Sequence, residues 1–223
     1  MQITFALIDS IAEQFSRFSP LIGIGIGALY YKHLTAVFQV LFYLLIYGFI
    51  NDMVAGLLPD RNLVWPINNI YLLFETMAMG FIMISTEKRV LFKRIIRILV
   101  ISIVLLWCAT SIYDPGVYLL HFNRLVIPIR SAVLSVVAGI MIYDLSGRED
   151  YLFKDPTFWV LIGFFIYLFC NMIVLLSISL KLVQHLNIIP KIWFIHNIFS
   201  LSSNLIYAYA FFLTRKGKYY ASR

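Results

Sequence analysis

The chain has 223 residues, of which 61% are hydrophobic, 17% aromatic and only 13% charged, with a mean hydropathy of +0.87. Soluble domains carry about 25% charged residues, so a water-soluble globular enzyme is excluded, and the aromatic content excludes a disordered chain. The composition is that of a protein resident in a membrane.

Residues 1–17 place Ile3, Leu7, Ile8, Ile11 and Phe15 on one helical face, with Asp9, Glu13 and Gln14 elsewhere. This pattern predicts a short amphipathic helix at the membrane surface. It lacks a basic leader and a small-residue cleavage site, so it does not read as a signal peptide. A transmembrane helix needs about 20 apolar residues, and seven windows qualify: 18–33, 35–57, 67–86, 92–112, 122–143, 156–179 and 191–213. The first ends at Lys32 and contains Gly23, Gly25 and Gly27; Gly23 and Gly27 fit close helix contact. Turn signals separate later windows at Leu58-Pro59-Asp60, Asp114-Pro115-Gly116 and Ser146-Gly147-Arg148. The fold class is therefore all-α: a polytopic bundle of seven transmembrane helices over 18–213, with a basic tail at 214–223.

Orientation follows from the cationic residues of the connections. One side carries Lys32, Lys88, Arg89, Lys93, Arg94, Arg97, Arg148, Lys154, Arg215, Lys216, Lys218 and Arg223. The other carries only Arg17, Arg61, Arg124, Lys181 and Lys191. The imbalance puts the N-terminus outside and the C-terminus in the cytoplasm, as a multi-pass protein of a bacterial inner membrane. The net charge of +7 is thus a topology signal, with no call for nucleic acid. The basic face at 88–97 and 215–223 suits anionic lipid or a cytoplasmic protein partner. Cys108 and Cys170 fall inside spans and read as buried packing residues.

Ile46-Tyr47-Gly48-Phe49-Ile50-Asn51 resembles Ile166-Tyr167-Leu168-Phe169-Cys170-Asn171, and Asn69-Ile70-Tyr71-Leu72-Leu73 resembles Asn197-Ile198-Phe199-Ser200-Leu201 at a similar offset. A 3+1+3 parallel repeat, a known transporter plan, is one reading. Chance likeness between apolar segments is the other.

Polar residues inside a bilayer are costly and mark packing devices or sites. At 1.5 Å per residue, Glu75 lies about 12 Å below the outer end of its span, with Arg130 at similar depth. His196, Asn197 and Ser200 share that layer, and Asn51 and Asn171 reach it from helices running the other way. Tyr47 and Tyr167 lie one turn deeper. Three stripes recur at helical spacing: Gln39, Tyr43, Tyr47 and Asn51; Asn68, Tyr71 (or Leu72), Glu75 and Met79; and His196, Ser200, Ser203 and Tyr207, flanked by Asn197 and Asn204. Lipid cannot satisfy such stripes, so they are placed facing the interior. Glu75 and Arg130 pair as interhelical glue, or they face a water-filled pocket and hold a ligand or relay a proton. His196 reads as a hydrogen-bonded packing residue or as part of that pocket.

Several chemistries drop out. Residues 192–213 contain no lysine for a retinal Schiff base, and His196 stands alone where an intramembrane zinc hydrolase needs several histidines. Asp52, His196 and Ser200 do not make a triad on spacing alone. No metal or other cofactor, and no enzymatic activity, is expected.

The segments Asn69-Ile-Tyr-Leu-Leu-Phe-Glu75, Asp155-Pro-Thr-Phe-Trp-Val-Leu-Ile-Gly-Phe-Phe-Ile-Tyr167 and Trp193-Phe-Ile-His-Asn-Ile198, with Asn204, resemble small seven-helix integral membrane proteins of Bacteroidota. The likeness runs from about residue 18 to 213 and implies the topology and the choice of Glu75, His196 and Asn204, without a reaction. Related bundles in that group sometimes precede signalling modules, whereas here ten residues follow the last span. In plan the chain also resembles the broad transporter, opsin and receptor group. The leading expectation is a receptor-like or sensory protein that binds a small ligand in an outward polar pocket. A small-solute or proton-coupled carrier using Glu75 is the alternative, and an intramembrane enzyme is third.

Overall fold

A computed structural model describes residues 2–58, 61–113, 115, 126–147, 152–179 and 189–215. Among them regular structure is entirely helical: α1 (Gln2–Phe18), α2 (Pro20–Leu29), a 3-10 turn at Tyr31–His33, α3 (Ala36–Leu57), α4 (Arg61–Thr86), α5 (Val90–Tyr113), α6 (Val126–Ser146), a second 3-10 turn at Leu152–Lys154, α7 (Pro156–Ser179) and α8 (Ile189–Thr214). Five stretches, Ala36–Leu57, Val64–Thr86, Val90–Tyr113, Val126–Ser146 and Pro156–Ser177, are long and apolar enough to cross a membrane. They match five of the seven expected spans. Arg124, Arg148, Lys181 and the tail at 216–223 lie outside the described residues.

The two remaining spans differ in instructive ways. Within the expected span at 18–33 the chain forms α2 followed by the 3-10 turn at Tyr31–His33; α2 alone has ten residues. Pro20 occupies the first turn of α2, where its missing N–H costs nothing. Ser19, immediately before it, stays near helical dihedrals, so α1 runs almost directly into α2. Both pack along α8. The N-terminal segment is thus a helix, as its periodicity predicts, and it leads directly into α2. The last expected span corresponds to α8, a helix of 26 residues that carries the polar stripe of His196, Asn197, Ser200 and Asn204.

The helices follow one another around the bundle, with α3 against α4, α4 against α5, α6 against α7, and α7 against α8. Because lipid is as apolar as leucine, such helices are held by close packing. Gly23 and Gly27 serve it as expected: a Cβ on Gly27 would stand 2.6 Å from the Phe42 ring, and one on Gly23 would meet Leu45 at 2.9 Å. Gly163 likewise admits the Tyr207 ring, which a Cβ at that position would overlap. The centre of the lower half is apolar and fully packed around Ile82, Met83, Leu134, Leu161, Phe164 and Phe211, each with at most 2% exposure.

Candidate functional site

Above that packed layer the same helices part around a cavity of about 580 Å³. This lies within the range of about 300–1,000 Å³ typical of small-molecule sites. Its floor is apolar, formed by Leu41, Leu45, Met79 and Phe164. Its walls are polar and come from α1, α3, α4, α7 and α8.

The α4 wall follows the expected stripe, with Asn68, Tyr71, Glu75 and Met79 all facing the cavity. Glu75 is 2% exposed and both of its oxygens are engaged. The Arg130 Nη2 donates to Oε2, and the Tyr71 hydroxyl donates to Oε1 at 3.2 Å. Tyr71 reaches this position because Gly48 on α3 has no side chain; a Cβ there would lie 2.9 Å from the hydroxyl. Arg130 comes from α6, outside the cavity lining, and ties α6 to α4. Its Nε and Nη1 make no hydrogen bond among the described residues.

The α8 wall also follows its stripe, presenting Trp193, His196, Asn197, Ser200, Asn204 and Tyr207. His196 packs edge-on against Trp193 at 5.3 Å. Asn204 donates to the Ser19 hydroxyl at 2.8 Å, joining α8 to the junction of α1 and α2. Tyr207 is 5% exposed, and its hydroxyl has no partner among the described residues. Tyr167 on α7 lines the cavity and interacts with both Glu75 and Asn171.

The α3 wall departs from expectation. The predicted interior stripe of Gln39, Tyr43, Tyr47 and Asn51 is rotated away: Tyr43 is 55% exposed and Tyr47 is 36% exposed. The inward face is instead Leu41, Leu45, Gly48 and Asp52. Tyrosine tolerates the outer surface because its ring is apolar and its hydroxyl finds local partners. Tyr43 shares a hydrogen bond of 2.6 Å with Tyr31, and Tyr47 packs on Tyr71 and Phe74. Asn51 is buried beside the cavity, donating to Asn68 Oδ1 at 2.9 Å.

Of the nine expected site residues, Glu75, Tyr167, His196, Asn197 and Ser200 therefore line one cavity. Arg130 and Asn171 stand behind it, Asn51 is a bridge between α3 and α4, and Tyr47 is on the outside. The expectation missed Asp52 and the contribution of α1, whose Glu13, Ser16 and Arg17 close one end. There Arg17 donates to Glu13 at 2.8 Å. Asp52 carried a usable signal: a carboxylate inside an apolar span is costlier than a tyrosine, so it should have fixed the inward face of α3. Among the described residues no group of three or more His, Cys, Asp or Glu is placed to hold a metal ion.

Comparison with protein-family models, curated proteins and solved structures finds no match to this chain.

Proposed function

We propose that this chain is a receptor-like or sensory multi-pass membrane protein that binds a small ligand in the cavity between α1, α3, α4, α7 and α8. The observation that carries the reading is a cavity where a polar wall meets an apolar floor, the usual make-up of a small-molecule site. The excess of Lys and Arg on one set of connections supports placing the N-terminus outside a bacterial inner membrane. With that orientation the cavity opens outward. Exposed Arg94 and Arg97 on α5 then add to a cytoplasmic basic face suited to anionic lipid or a protein partner. The resemblance to small Bacteroidota seven-helix proteins is part of the same proposal.

A carrier built on Glu75 is the second reading. It requires a path through the layer of Ile82, Met83, Leu134, Leu161 and Phe211, whose own side chains are apolar and buried. That one-sided polarity favours the receptor.

The deciding experiment is a thermal-stability screen of the chain in lipid nanodiscs against small solutes and lipids. Ser200 lines the cavity, and Ser200→Phe fills it. A compound that raises the wild-type Tm by linkage, with the rise lost in Ser200→Phe, supports binding in the cavity. If no compound shifts the wild type, the polar wall is interhelical packing and the receptor reading falls. Net uptake into liposomes that is abolished by Glu75→Gln reverses the ranking in favour of the carrier.

A further inference from the structure

We infer that the cavity selects an organic monocation with an apolar body, an ammonium group held at Asp52. The inference rests on the binding function proposed above and names the class of ligand.

The ionic inventory around the cavity carries it. Glu13 and Arg17 neutralise each other at 2.8 Å, and Glu75 is neutralised by Arg130 directly behind it. Asp52 remains. It lines the cavity, is exposed, bonds Asn51, lies within electrostatic reach of Arg17 and makes no salt bridge among the described residues. Arg17 is thus shared between Glu13 and Asp52, and with histidine counted as neutral the site has one negative charge in excess. A carboxylate at the wall of a partly enclosed cavity attracts a cation more strongly than one in bulk water.

The rest of the wall narrows the kind of cation. A hard metal ion needs six or more oxygen ligands, and one free carboxylate above an apolar floor does not supply them. Tyr71, Tyr167 and Trp193 line the same space, and aromatic rings attract ammonium groups as well as apolar surface. Leu41, Leu45, Met79 and Phe164 receive an uncharged body. The Tyr207 hydroxyl, 5% exposed and without a partner, adds one polar contact near that floor. A zwitterion fits less well. Its carboxylate would look to Arg17, whose Nη2 is held by Glu13 and whose Nη1 lies against Gly56.

The test is equilibrium binding to the full chain in nanodiscs with three probes of similar shape. These are benzyltrimethylammonium, its uncharged carbon isostere neopentylbenzene, and benzoate. The ammonium should bind at least tenfold more tightly than the isostere, and benzoate least. Asp52→Asn should abolish the preference for the ammonium, while Asp52→Glu, which keeps the charge, should retain it. Equal binding of the ammonium and the isostere overturns the assignment, as does a preference that survives in Asp52→Asn. Both results leave the cavity a binding site and remove only the charge selectivity. Tighter binding of benzoate overturns it in favour of an anion site. Binding of none of the three, with no hit in the wider screen, brings down the binding function and this assignment together.

Discussion

Two ion clusters sit on α4, one at Glu75 within its length and one at Glu87 just beyond its end, about 18 Å apart along a helix. Each links α4 to α6, yet they solve opposite problems. Glu75 and Arg130 are each 2% exposed at the side chain. Glu75 is saturated by Arg130 and Tyr71, whereas Arg130 keeps two nitrogens without partners among the described residues. At the other cluster Arg89 is 37% exposed. It bonds Glu87 Oε2 at 2.9 Å, reaches Asp144 on α6 at 3.3 Å, and stacks over Phe92. Glu87 Oε1 also accepts the backbone N–H groups of Lys88 and Arg89 at 2.9 and 2.8 Å. It thereby places a negative charge before the N-terminus of α5, where the helix dipole favours one. The inner pair is obligatory because neither charge can remain in the bilayer alone. The outer cluster is a wet clamp with alternatives for every member.

Arg130→Met should sharpen this contrast most. It leaves Glu75 in the interior with only the Tyr71 and Tyr167 hydroxyls, and breaking one side of a buried pair costs about 3–5 kcal/mol. Chemical or thermal unfolding in nanodiscs measures the loss. The double variant Glu75→Leu/Arg130→Met should recover most of it, since the isolated charge is then gone. A double variant as unstable as the single would mean that the pair itself holds α4 to α6.

Arg89→Met should be milder, about 1 kcal/mol, as for other partly exposed ion pairs. Its effect should also shrink in high salt, where the Debye length falls to about 3 Å at 1 M. The Arg130→Met deficit should not change with salt. Equal salt sensitivity of the two would erase the distinction between a dry pair and a wet clamp.

Much of this arrangement was legible in the residues. Apolar windows located the five long spans because length and hydropathy decide them. Glu75, Tyr167, His196, Asn197 and Ser200 were grouped correctly because helical spacing fixes a face once one costly polar residue is known to point inward. The errors share a cause. On α3 the tyrosines were treated as if lipid could not hold them, and the inward face was rotated from Asp52 to Asn51. At the N-terminus the break at Ser19 leaves α1 and α2 as two helices that share α8 as their support, a division that the apolar window at 18–33 does not show. Window hydropathy cannot see either case, because both turn on which neighbouring helix supplies a hydrogen bond: Tyr31 to Tyr43, and Asn204 to Ser19.

The smallest effect concerns pH at the outer cluster. Burial alone would raise the pKa of Glu87, but the Arg89 side chain and the two backbone N–H groups outweigh it and hold the carboxyl below its usual range. A carboxyl depressed in the folded state contributes stability above its unfolded pKa, about 4.3 for glutamate. That contribution fades as pH falls through the lower folded value. Glu87→Gln should therefore lower the Tm by a constant amount from neutral pH down to about pH 5. The gap from wild type should then close below about pH 4, as the wild type loses what the variant never had. A gap that stays open in acid would mean that Glu87 works as a neutral cap on α5, with its charge and Arg89 adding nothing.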